Sequence, residues 1–104
     1  MAARRGVGWS DQGTRTLGEV IAFIAKDSLA DAQRVLRRAL DTGASLATLS
    51  ERGRVVPELQ DPVIRELVVF RYRLIYRVDS DRVTILAFIH GARDFDRWRQ
   101  EGEP

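Results

Sequence analysis

The apolar residues of this chain change period partway along it. Leu17, Val20, Ile21 and Ile24 follow the i, i+3, i+4, i+7 spacing of a helix with one apolar face. Leu29, Ala32, Val35, Leu36, Ala39 and Leu40 lay down a second such stripe, with Asp31, Gln33, Arg34, Arg37 and Arg38 on its other side. Ser10 or Asp11 is placed to cap the first helix, and Ser28 with Asp31 resembles a short capping box for the second. The link at Asp27-Ser28 is so short that the two helices should fold back as an antiparallel hairpin. Gly13 and Gly18 each weaken the first helix by about 1 kcal/mol relative to alanine, which leaves tertiary packing to hold it. Gly43 is placed to end or kink the second helix, and Leu46 and Leu49 to form a last apolar turn.

Pro57 and Pro62 bracket an irregular crossing, and from Ile64 the period becomes two. Leu67 and Val69 alternate with Glu66, Val68 and Phe70, both sets largely apolar. Tyr72 to Val78 alternates more plainly, with Arg73 and Arg77 on one side and Leu74, Tyr76 and Val78 on the other. Asp79-Ser80-Asp81 signals a turn into a further strand from Val83 to Ile89, so these two strands form an antiparallel hairpin. Val7-Gly8-Trp9 can add a short first strand behind a loose basic tail at residues 1–6. After Asp94 the chain is charged apart from Phe95 and Trp98, and a short helical turn fits there. Helices first and strands afterwards predict one α+β domain over residues 1–104, a helical hairpin packed on one face of an antiparallel sheet.

Composition narrows the chemistry. At 104 residues and 44% hydrophobic, the chain can hold one compact domain and little more. It has no cysteine, which excludes disulfides and thiolate metal sites. No apolar run is long enough to span a bilayer, and no hydrophobic signal segment opens the chain, so a cytoplasmic protein without membrane contact is expected. The net charge is only +2, but Lys26 is the sole lysine among 17 basic residues. Arginine grips carboxylate or phosphate with a planar fork, so an anionic partner is implied: nucleic acid or an acidic protein segment.

The hairpin brings Arg73 opposite the end of the last strand, near His90, Gly91 and Arg93, and makes a cationic sheet face with Arg77. These arginines could hold phosphate or an acidic peptide, or pair with Glu66, Asp94 or Asp96. His90 is the only histidine. It has no ligand cluster around it in sequence, so no metal or other cofactor is expected. It could serve as a general base with Arg93 stabilising an oxyanion, or simply end a strand. Trp9, Phe95 and Trp98 could stack on bases, although packing at the domain edge is the commoner use.

Four blocks taken together resemble the ParE/RelE superfamily of bacterial toxins: Gly53–Leu59, Arg65–Leu67, Tyr72–Val78 and His90–Phe95. The resemblance runs from Val7 to Phe95 and implies a short strand, a helical hairpin and an antiparallel sheet. It also implies a toxin encoded beside an antitoxin that wraps and neutralises it. One branch of the superfamily cleaves messenger RNA on the ribosome. By that template Arg73 would contact phosphate and Arg93 would stabilise the transition state, but Ile64 and Glu66 stand where lysines are expected. Arg65-Glu66-Leu67 and His90-Gly91-Ala92-Arg93 look more like the ParE branch, whose members inhibit DNA gyrase. Departures from that branch include Ser50 for a common proline, Phe70 for a common glycine in the strand link, and the two glycines of the first helix.

The resemblance thus implies a ParE-like toxin that is not an enzyme, with DNA gyrase as target. Its partner would be a ParD-like antitoxin of the ribbon-helix-helix type, and operator DNA would be reached only through that antitoxin. Arg65, Arg73, Arg77, Arg93, Leu17, Ile21, Ile24 and Trp98 are the expected contact residues for antitoxin or target. The alternatives are a ribosome-dependent endoribonuclease using Arg73, Arg93 and His90, and a non-toxic member that only binds its antitoxin.

Overall fold

Strand gives way to helix at Ser10, where the serine hydroxyl accepts the Gly13 N–H at 2.9 Å and caps the first helix. The computed structural model describes residues 4–101. In chain order they form β1 (Gly6–Trp9), α1 (Asp11–Ala25), α2 (Leu29–Ser45), β2 (Arg54–Val55), β3 (Ile64–Val69), β4 (Tyr72–Val78), β5 (Arg82–Ile89) and α3 (Gly91–Gln100). The five strands make one sheet in the order β1-β5-β4-β3-β2. β2 to β5 pair antiparallel, as the alternation predicts. β1 lies parallel to β5, so the whole sheet is mixed. Arg5 and Gly6, expected in a loose tail, are held instead. Arg5 N–H donates to Ala47 O at 2.7 Å, its Nε donates to Asp79 O at 2.8 Å, and Gly6 already belongs to β1.

The helical hairpin covers the face carrying Leu74, Tyr76 and Val78, with Val83, Ile85 and Phe88 from β5 and Leu17, Val35, Ala39 and Leu46 from the helices. Ser28 accepts the Asp31 N–H at 3.1 Å, which is half of a capping box. Gly43 neither ends nor kinks α2, which continues to Ser45. It permits close packing instead: a Cβ there would stand 2.8 Å from Ile85 Cδ1. Of the final leucines, Leu46 is buried and Leu49 exposed. The outer edge of β5 beyond β1 is closed by α1. The Thr16 hydroxyl accepts the Phe88 N–H at 2.9 Å and donates to Gln12 O at 2.7 Å, satisfying a strand N–H that would otherwise be orphaned.

The other face is covered as well, contrary to a layout with helices on one side only. A second core joins Ile64, Ile75, Ala87 and Ile89 to Val56 of the crossing segment and to Phe95 and Trp98. Period-two alternation puts Ile75 opposite Leu74 and Tyr76, which is why this core is separate. The expected short turn after Asp94 is a ten-residue helix that starts earlier, at Gly91. Phe95 and Trp98 lie three residues apart on it and meet edge to face at 5.4 Å. The two-residue link from β3 to β4 sets Phe70 at φ 57°, a conformation that glycine accepts and bulky residues rarely adopt. The exposed Phe70 ring lies under the Arg38 and Arg34 guanidinium groups of α2, at 5.0 and 6.0 Å.

Candidate functional site

β3 and β4 bring a carboxylate and a guanidinium onto the α3 face of the sheet. Val68 pairs with Arg73 and Glu66 with Ile75, so Glu66 and Arg73 project from the same face two positions apart. The Glu66 side chain is only 1% exposed. A buried carboxylate needs compensation, and two arginines supply it. Arg54 Nε donates to one Glu66 oxygen at 2.6 Å, and Arg73 Nε to the other at 2.7 Å. The remaining Arg73 nitrogens grip both oxygens of Glu58, at 2.7 and 3.0 Å, which ties the crossing segment to the sheet. The Arg73 guanidinium also lies 4.9 Å from the Phe95 ring centre. The hydrogen bond from Arg73 holds the Glu58 carboxyl below the usual glutamate range, against the opposing effect of burial. Glu58 in turn pushes Arg73 further upward, with burial opposing and Glu66 reinforcing.

The expected site residues therefore part company. Arg73 is 14% exposed and committed to two carboxylates, so it is not available to hold a phosphate. Arg77 shares its face but pairs with Asp79 at 3.2 Å. Arg65 projects from the opposite face, where its guanidinium donates to Gly53 O at 2.9 Å. Arg93 and His90 are exposed, and Arg93 forms no ion pair among the described residues. His90 stands at the N-cap of α3 without capping it, its ring 5.6 Å from that of Tyr72. Leu17 and Trp98 are buried in the two cores rather than presented to a partner, and Ile21 and Ile24 are partly buried against the first core. The sheet does not gather Arg65, Arg73, Arg77 and Arg93 into one cationic face.

A cavity of about 440 Å³ opens where α1, α3 and the ends of β4 and β5 meet. Val20, Tyr72, Phe88 and Trp98 wall it, and Phe23 forms an exposed lip. At its rim Arg15 pairs with Glu19 and Glu101, and Arg97 with Asp94. Among the described residues no helix is long and apolar enough to cross a membrane, and no group of three or more His, Cys, Asp or Glu converges as a metal site would require.

Comparison with known proteins supplies what this geometry lacks. The family model described as ParE toxin of type II toxin-antitoxin system, parDE, matches residues 7–95. The chain belongs to the ParE toxin family. It is the toxin component of a type II toxin–antitoxin system, a pairing that implies a cognate antitoxin. Among solved structures, one described as "Chromosomal ParDE TA system from P. aeruginosa" is similar with a TM-score of 0.69. That likeness covers 86% of this chain and 98% of the other at 14% identity, and it bears on the fold. No curated protein matches the chain.

Glu66 is one of the carboxylates that the sequence offers the sheet arginines, and the structure makes that pair; Glu58, on the crossing segment, is not among those expected. Both are the partners of Arg73. The two-residue offset that places Glu66 and Arg73 on one face is set by strand register, which residue spacing does not give. The cavity gives no signal either, because it is assembled from elements distant in sequence.

Proposed function

We propose that this ParE-family toxin acts by binding DNA gyrase, with no catalytic machinery of its own. In the same reading a ParD-like ribbon-helix-helix antitoxin neutralises it in the cytoplasm, and operator DNA is reached only through that antitoxin. The observation that carries the non-nuclease reading is the commitment of Arg73. Ribonuclease chemistry needs cationic groups free to follow charge as it moves onto the phosphate. Here the best-placed arginine is saturated by Glu58 and Glu66, and the Glu66 carboxylate would repel the phosphate. His90 and Arg93 remain exposed at the start of α3.

A supercoiling assay with purified gyrase, run beside in-vitro translation probed for cut message, tests this. Inhibited gyrase with intact message is expected. Cut message that depends on Arg93, with gyrase unaffected, would establish the endoribonuclease instead. Antitoxin binding with neither effect would identify a non-toxic member.

A further inference from the structure

The geometry points to the cavity between α1 and α3 as the socket for an anchor side chain of the antitoxin: an apolar, preferably aromatic residue with a carboxylate beside it. This rests on the toxin–antitoxin reading above and adds where and by what chemistry the partner is held. The cavity, at about 440 Å³, suits one or two large side chains, and it joins an apolar wall of Val20, Tyr72, Phe88 and Trp98 to a charged rim. One of its cations is unpaired by the chain itself. Arg71, at the tip of the β3–β4 link, lines the cavity and is exposed, and it forms no ion pair among the described residues, whereas Arg15 and Arg97 on the same rim are already paired.

The complement of these features is specific. A ring or branched aliphatic side chain covers Val20, Tyr72 and Phe88 and draws in the Phe23 lip, which is 68% exposed in the chain alone. A neighbouring carboxylate meets Arg71 at the rim, where the approach stays partly solvated and favours opposite charge without a large desolvation cost. The aromatic anchor in an aromatic-lined pocket is the arrangement in which few residues hold most of the affinity.

The test uses the intact toxin and the purified antitoxin encoded beside it. Binding is measured by calorimetry for the wild type, Phe23→Ala, Arg71→Glu and Arg37→Glu. Phe23, Arg71 and Arg37 are all exposed, so the fold should survive, as circular dichroism will show. Phe23→Ala and Arg71→Glu should each weaken binding about tenfold or more, equivalent to about 1.4 kcal/mol. Arg37→Glu, on the outer side of α2, should change it less than about threefold. In ¹⁵N spectra of Trp9→Phe toxin, the remaining indole signal is that of Trp98, which lines the cavity; it should shift when antitoxin binds. Antitoxin binding that ignores Phe23 and Arg71, or responds equally to Arg37→Glu, or leaves the Trp98 indole unmoved, overturns the socket while the toxin–antitoxin pairing stands. No binding by the wild-type toxin would overturn that pairing and the socket with it.

Discussion

Replacing Arg73 by alanine should unfold this protein more readily, whatever it does to toxicity. The substitution leaves the Glu66 carboxylate, 1% exposed, with Arg54 as its remaining cation, and Arg54 is itself 66% exposed. It also releases Glu58 and uncovers the Phe95 ring. Removing one partner of a buried ion pair costs about 3–5 kcal/mol. Because Arg54 still reaches one Glu66 oxygen, the loss should fall just below that range, at about 2–3 kcal/mol. Against a total stability of about 5–15 kcal/mol this is a large loss. At about 4–8 °C per kcal/mol, the melting temperature should fall by roughly 10–20 °C.

Guanidinium denaturation followed by circular dichroism at neutral pH reads the loss directly. In a Glu66→Gln background the same Arg73→Ala change should cost about 1 kcal/mol or less, since a neutral amide no longer needs the cation. The resulting coupling between the two positions is at least about 1–2 kcal/mol, within the range for residues in one network. An Arg73→Ala protein that keeps its stability within about 0.5 kcal/mol yet loses toxicity would refute the reasoning. It would mean that Arg73 is free to serve a partner.

Three further outcomes follow from particular contacts. Gly13→Ala should lose about 1–2 kcal/mol, because a Cβ there runs into the Ile85 carbonyl oxygen and outweighs the better helix propensity. Gly18→Ala faces open space and should gain about 0.5–1 kcal/mol; urea melts that rank the two alike would sink this account of α1. At position 70, Phe70→Gly should be about 1 kcal/mol more stable than Phe70→Ala, because both lose the arginine contacts and only alanine sets a Cβ at the positive φ. Equal denaturation midpoints would show that the link is not strained. Glu58 has a folded pKa below its unfolded one, so the unfolded chain binds more protons as pH drops below about 4.3. Its contribution is present above that pH and is lost as pH falls through the folded value. Glu58→Gln should be less stable at neutral pH and show a shallower acid slope, and an unchanged slope would disprove the linkage.

Local pattern carried the reading as far as local physics reaches. Ser10 and Ser28 were legible as caps because capping is settled within three residues, and the β4–β5 hairpin because alternation and turn chemistry agree. Phe70 was legible as an oddity in a strand link, and its positive φ explains why glycine would suit that place better. α3 was underestimated: Gly91 and the surrounding charges argue against a helix, and burial of Phe95 and Trp98 against the sheet overrides that propensity. β1 gave no sign of its parallel pairing, since four residues do not say which strand they join. Gly43 read as a helix end, when the nearby Ile85 and Trp9 side chains require it to be small.

The candidate site divides along the same line. The sequence alone determined the family pattern, the α+β order of elements and the arginine-rich chemistry, because these rest on residue type and short-range period. Only the tertiary structure decided which arginines are available. Whether a guanidinium holds a partner or a carboxylate of its own chain depends on what the crossing segment and the neighbouring strand place beside it. Here the crossing segment brings Glu58 and β3 brings Glu66 to Arg73, while Arg71 at the hairpin tip is left without a counter-ion among the described residues. Ion pairing between residues 7 and 15 positions apart is set by strand register and chain crossing, and neither can be read from spacing.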